Sequence, residues 1–306
     1  MRLKRVHRVR LESNRHKPNL FIPGAAKAGT TSIYKYLNGH PDVFMSPIKE
    51  PHFFSRDITI HRSIRTEHEY LDLFRNVGNR RCFGEASTSY LPSKVAARLI
   101  YEFNPDAKII ISLRNPVDMM YSTHFFLVYV NLQKTISFRE ALENSKSISD
   151  HRFSEGAFDY RSGATLSPQV KRFLSVFPRN QVLIVLFDDL KSHPEPTYRQ
   201  ILEFIGVDPS FVPDFGRANV SRQAKWSLLH DLIVDPPPWL LTICRPLLKS
   251  RLFHQFVERV DTLNSQPVNY PTMDRELRRQ LIDEFSQEIE DLARITGKNL
   301  SHWFID

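Results

Sequence analysis

The chain has almost no cysteine. Cys82 and Cys244 are its only two, and an isolated pair of this kind makes neither a disulfide framework nor a thiolate metal site. Cys82 falls in an apolar run and reads as a small buried residue. The 12 histidines are scattered without ligand spacing, so no metal site is expected. Long hydrophobic runs are also missing. The most apolar stretch, residues 236–248, is short and broken by Arg245 and four prolines, whereas a membrane span needs about 20 apolar residues. It reads as an insertion covering the core or, alternatively, as a patch resting on a membrane surface. No internal repeat or low-complexity tract is visible. The first residues lack the apolar centre of a signal peptide, which leads to the expectation of no export and a cytoplasmic location. Acidic excess is absent too. The net charge is +8, with much of the surplus in residues 2–17, read as a solvated basic tail over 1–18 rather than a nucleic-acid-binding arm. The remainder, 19–306, reads as one α/β domain in which strand-like runs (20–22, 82–84, 107–113, 182–187) alternate with helical segments around a parallel sheet. One long charged amphipathic helix is expected over 274–296.

The common nucleotide loop Gly-x-x-x-x-Gly-Lys-Ser/Thr is missing as well. What stands in its place is informative. Leu20-Phe21-Ile22 ends at Pro23-Gly24; the small residues Ala25, Ala26 and Ala28 surround Lys27; Gly29 follows, and Thr30-Thr31-Ser32 open a segment with helical spacing. Strand, tight loop and helix start form a phosphate cradle, because free N–H groups and the positive helix end point at one spot. The lysine precedes the second glycine, and Thr30 stands where the nucleotide loop's lysine belongs. A plain strand–helix turn is the alternative.

A second constellation occupies residues 107–126. Ile109-Ile110-Ile111 and Leu113 suit a strand buried on both faces. Arg114 ends it, Asn115 is a helix cap, and Pro116 suits a first helical turn. Arg114 then lies at the carboxyl end of a strand, where open α/β sheets bind ligands, with Ser122 two helical turns on. The alternative is an arginine paired with a neighbouring acid such as Asp118.

Together these segments resemble the PAPS-dependent sulfotransferases, especially the heparan sulfate N- and 3-O-sulfotransferase domains and related bacterial carbohydrate sulfotransferases. Further matching stretches, in the same order, are Gly39-His40-Pro41-Asp42-Val43, Lys49-Glu50-Pro51-His52-Phe53-Phe54, residues 84–91, Tyr270-Pro271-Thr272-Met273-Asp274 and residues 300–304. The resemblance implies a P-loop NTPase-like sulfotransferase fold. It also implies PAPS (3′-phosphoadenosine 5′-phosphosulfate) as sulfuryl donor, with adenosine 3′,5′-bisphosphate as product. On this resemblance Ala26, Lys27, Ala28, Gly29, Thr30, Thr31 and Ser32 hold the 5′-phosphosulfate, and Lys27 neutralises the leaving phosphate. Arg114 and Ser122 hold the 3′-phosphate, and Tyr160 lies near the nucleotide or the cleft; apart from the resemblance, Tyr160 reads as a core aromatic. Glu50 is the general base, and His52 faces the same cleft if the segment is extended. The acceptor is a carbohydrate, glycolipid or small molecule; nucleic acid is not expected. Without the resemblance, Glu50 would read as a loop carboxylate paired with Lys49.

Two departures stand out. Ala86 occupies the place of a cleft lysine in the eukaryotic relatives, and residues 262–269 are neutral where relatives carry basic residues. The competing functions are a P-loop kinase or NTPase using ATP and magnesium, and a nucleotide-binding module without catalysis. The adjacent Asp188-Asp189 after a strand would be the acidic site of the former.

Overall fold

The computed structural model describes residues 17–60, 64–130, 132–135, 137–144, 159–216, 222–226, 259–260, 263–268 and 270–305. The basic residues 2–16, the 236–248 stretch and Cys244 lie outside them.

Short β-branched and apolar runs become five parallel strands: β1 (Leu20–Gly24), β2 (Val43–Met45), β3 (Cys82–Ala86), β4 (Lys108–Leu113) and β5 (Val182–Leu186). Their order across the sheet is β2-β3-β1-β4-β5, and every pairing is parallel. The helices α1 (Thr30–Asn38), α2 (Glu67–Asp72), α3 (Ala96–Phe103) and α4 (Pro116–Tyr129) follow β1, β2, β3 and β4 in turn.

Side chains alternate along each strand, so the sheet has two cores. Leu20, Ile22 and Ile110 pack with Ile33 and Leu37 of α1 and with Tyr198, Ile201 and Leu202 of the helix Pro194–Ile205. Phe21, Ile109 and Ile111 pack on the other face with residues of α3 and α4. Burial on both faces is what a parallel sheet requires, and it fixes every strand's carboxyl end at one edge.

Gly84 is dictated by sheet spacing. A Cβ there would lie 2.1 Å from the Leu20 carbonyl oxygen of β1, a backbone atom that cannot swing away. Gly84→Ala is therefore expected to destabilise the domain by about 3 kcal/mol or more, measured as a lowered urea midpoint; an unchanged midpoint contradicts this packing.

Local signals hold at several points. The Asn115 side chain caps α4 by accepting from the Val117 N–H at 2.9 Å. Gly206 closes its helix in the left-handed conformation, and Cys82 is buried. The expected single helix over 274–296 is instead two, Arg275–Glu284 and Ser286–Thr296, hinged at Phe285. Phe285 is buried, and turning the chain there lets Leu281, Ile282, Ile289 and Leu292 reach the same core. Residues Arg222–Ala224 and Ser265–Pro267 form a separate antiparallel ribbon. No described helix is long and apolar enough to cross a membrane.

Candidate active site

The loop after β1 wraps the start of α1. Gly29 caps that helix in the left-handed conformation (φ 83°), and a Cβ there would meet Leu190 and Phe187 at 2.9 Å. The backbone N–H groups of Ala26, Lys27, Gly29, Thr30 and Thr31 have no acceptor among the described residues; they belong to the loop and first turn at the positive end of a nine-residue helix. The Ser32 N–H is not among them, because it is spent on the Gly29 carbonyl at 2.9 Å. Ala28 is buried, its carbonyl accepting from the Ser112 hydroxyl at 2.5 Å, whereas Ala26 is exposed.

Lys27 also adopts a left-handed backbone (φ 60°), and its ammonium sits 4.6 Å over the ring of Phe126 in α4. Burial lowers its pKa to about 8; Arg114 and Lys49 push in the same direction and Glu50 opposes them.

Arg114 does not pair with Asp118, which instead accepts from Arg278 at 2.6 Å. The Arg114 guanidinium donates to the Lys27 carbonyl at 3.0 Å and lies 4.6 Å over the ring of Phe187 at the end of β5. The ends of β1, β4 and β5 thus meet at one place. Ser122, eight residues after Arg114 and inside α4, is half-buried, and its hydroxyl makes no hydrogen bond with a described residue. Tyr160 lies in the core, 2% exposed, with its hydroxyl 3.0 Å from His124 Nδ1. Asp188 is engaged by the chain's last turn, accepting from Trp303 Nε1 at 2.7 Å and sitting 3.1 Å from His302 Nε2.

The Glu50–His52 segment is not extended. Both residues are left-handed (φ 64° and 56°), and the turn between them still brings the side chains together: His52 Nε2 is 3.5 Å from Glu50 Oε2. Glu50 pairs with Lys49 at 2.8 Å and accepts from the Thr88 hydroxyl at 2.9 Å. Burial works to raise its pKa, but Lys49, His52 and the hydrogen bonds from Lys49 and Thr88 outweigh it and hold the carboxyl below its usual value. Burial lowers the pKa of His52, against the pull of Glu50. The pairing with Lys49 therefore exists, but it is partly buried and within electrostatic reach of Lys27 rather than on a solvated loop.

Sequence reasoning missed the group behind this segment. Glu85 of β3 is fully buried, accepting from Tyr90 at 2.6 Å, Tyr70 at 3.1 Å and Ser87 at 2.7 Å. Burial raises its pKa to about 7, and the three hydroxyls temper the rise. A glutamate inside an otherwise apolar strand is the one signal in the sequence that could have found it.

Lys27, Arg114 and the Glu50 carboxylate thus lie together at the carboxyl edge of the parallel sheet. Residues 17–225 match the sulfotransferase domain, and the chain belongs to that family. A crystallised sulfotransferase from Alicyclobacillus acidocaldarius is 31% identical and superposes with a TM-score of 0.71, covering 94% of this chain and 99% of that one. Carbohydrate sulfotransferase 15 of Rattus norvegicus is 25% identical over 248 residues, 63% of this chain and 44% of that protein. Heparan sulfate glucosamine 3-O-sulfotransferase 3A1 of Mus musculus is 27% identical over 200 residues, 64% of this chain and 47% of that protein. The chain spans less than half the length of these two relatives. Its parallel sheet and phosphate-type loop are the P-loop NTPase-like fold of sulfotransferases, as the motifs imply.

Proposed function

We propose that this chain transfers a sulfuryl group from PAPS to a hydroxyl or amino group of a carbohydrate-type acceptor, a glycolipid or small sugar included, by in-line displacement with Glu50 as general base. The observation that carries the reading is the hydrogen bond from Arg114 to the Lys27 carbonyl. It joins two strand ends into one cationic site, with separate groups for the two phosphorylated sides of one adenosine nucleotide.

The residues fit that donor. The free amides of Lys27, Gly29, Thr30 and Thr31 and the Lys27 ammonium suit the 5′ side, where negative charge grows as the leaving phosphate departs. Arg114, with the Ser122 hydroxyl, which has no partner among the described residues, suits the 3′-phosphate through charge-assisted hydrogen bonds. Bound PAPS supplies the activated sulfuryl group. Glu50 accepts the acceptor's proton as the new bond forms, while Lys49, Thr88 and His52 hold its carboxylate in place. The acceptor class rests on the names of the relatives, which are carbohydrate and heparan sulfate enzymes.

Thermal shift tests the donor. Adenosine 3′,5′-bisphosphate is expected to stabilise the protein, and ATP with magnesium is not; the reverse result makes it an ATP-dependent enzyme. Labelled sulfuryl transfer from PAPS to glycan or lipid extracts tests the reaction, and its absence in a bisphosphate-binding protein favours a non-catalytic module. The 3′ assignment has its own test. Arg114→Met is expected to weaken adenosine 3′,5′-bisphosphate by roughly 10- to 100-fold, the worth of hydrogen bonds to a charged group, and to weaken AMP by a smaller factor. Equal weakening of both nucleotides, read by calorimetry, would remove Arg114 from the 3′ side.

A further inference from the structure

Glu50 and His52 both hold a backbone conformation that residues with a Cβ rarely adopt, and such conformations persist only where the surroundings impose them. The imposing groups lie at the end of β3. The Glu50 N–H donates to the Ala86 carbonyl at 3.0 Å, and the His52 N–H donates to the Ser87 hydroxyl at 3.1 Å. Ser87 is fully buried. Its hydroxyl has one hydrogen, and that hydrogen goes to Glu85 Oε2 at 2.7 Å. When ionised, Glu85 can only accept, so it settles which way the hydroxyl points and leaves the Ser87 lone pairs for the His52 N–H. Tyr70 and Tyr90 hold the other Glu85 oxygen, so the carboxylate itself is fixed from two sides. On the far side of the imidazole, Nδ1 lies 2.7 Å from the Ser89 hydroxyl, which is 2.8 Å from that of Ser55.

We infer that Glu85 and Ser87 are positioning residues for this site: the buried carboxylate orients the Ser87 hydroxyl, and the Ser87 oxygen pins the backbone at His52, so that the His52 imidazole and the Glu50 carboxylate face each other in the cleft. Neither residue touches the reacting atoms. The catalytic consequence rests on the reading of Glu50 as the base, while the positional one does not.

Ser87→Ala cuts the link without replacing Glu50, His52 or Lys49. Two measurements read it. The first needs no acceptor: the imidazole ¹⁵N resonances of His52 and their titration midpoint are expected to move in Ser87→Ala, since the Nε2 contact with Glu50 loosens. Unchanged resonances overturn the inference. The second is kinetic. A displacement of about 1 Å at a catalytic group can cost about 100-fold, so kcat is expected to fall at least about tenfold while the affinity for adenosine 3′,5′-bisphosphate stays the same. In a His52→Ala background the same substitution is expected to cost little, because the two changes act through one residue. Equal losses in both backgrounds make Ser87 merely structural and overturn the inference. If Ser87→Ala does not fold, as judged by lost bisphosphate binding, Ser87→Cys keeps the volume with a far weaker acceptor and carries the same two readouts. A wild-type protein that binds the bisphosphate but transfers no sulfuryl group defeats the proposed function, and the resonances still decide the positional role.

Discussion

Lys27→Met is expected to lower kcat for sulfuryl transfer by about 100- to 1,000-fold and, at neutral pH, to make the protein more stable. The first effect follows from position. Lys27 is the cation inside the glycine loop, and the loss of one preorganised group facing developing charge costs about 2.7–4 kcal/mol of transition-state stabilisation. The second follows from electrostatics. In the free protein the Lys27 ammonium is buried beside Arg114 and Lys49, with Glu50 and the face of the Phe126 ring offsetting them. Holding a group at about 8 that would otherwise titrate at 10.5 disfavours its charged form by about 3 kcal/mol. The folded chain binds fewer protons than the unfolded chain between these values, so stability rises with pH from about 8 to 10.5. Below about 8 the cost is fully present, and Met, apolar and of similar length, removes it. Urea midpoints at pH 7 should therefore favour Lys27→Met, and the advantage should vanish above pH 10.5. Donor binding carries the same signature. Affinity for adenosine 3′,5′-bisphosphate should fall as pH rises through about 8, by up to tenfold per pH unit for one linked proton, and Lys27→Met should flatten that slope. A flat profile in the wild-type protein would place the donor elsewhere.

How much of this was legible beforehand depends on the range of the interactions. β1, β3, β4 and β5 announce themselves as apolar runs, and the Asn115 cap and the Gly206 stop are local chemistry. β2 does not, because Val43-Phe44-Met45 is too short to show a period, and it forms only by pairing with β3. The helix pair 275–284 and 286–296 reads as one because its apolar spacing continues through Phe285, and only the shape of the core reveals the bend. In the site, the meeting of Lys27 with Arg114 follows from two strand ends being adjacent in a parallel sheet, which motif order suggests. The conformation at Glu50 and His52 is different. Nothing in Glu-Pro-His announces a left-handed backbone at non-glycine residues, because the forces that impose it come from Ala86 and Ser87 on another strand. Tyr160 shows the converse: a motif-like tyrosine whose hydroxyl has found a partner, His124, inside the core. Ser32, expected among the residues that hold the 5′-phosphosulfate, already spends its amide on the Gly29 carbonyl.

Glu50→Gln is expected to cost between about 100- and 10,000-fold in kcat, the span for removal of a positioned proton acceptor, with little change in donor affinity below pH 7. The substitution is nearly isosteric, and the amide can still be held by the Thr88 hydroxyl, so the loss reports the missing base rather than a collapsed segment. The pH profile separates this from a purely electrostatic role. Lys49, His52 and Thr88 keep the carboxyl ionised below its usual range, so wild-type activity should persist on the acid side until that depressed value is reached. A base kept charged in this way is a weak one in the free protein. Lys49→Met, by removing the strongest of the influences that hold the value down, should raise the pKa of Glu50 and move the acid limb to higher pH. Glu50 also supports the charge on Lys27. Neutralising it should therefore lower the Lys27 pKa further, and the alkaline loss of adenosine 3′,5′-bisphosphate affinity should begin at a lower pH in Glu50→Gln than in the wild type. Transfer at the wild-type rate by Glu50→Gln would refute the base assignment outright. A slow variant whose alkaline limb does not move would show that the two cleft charges act independently, against the proximity that the structure gives them.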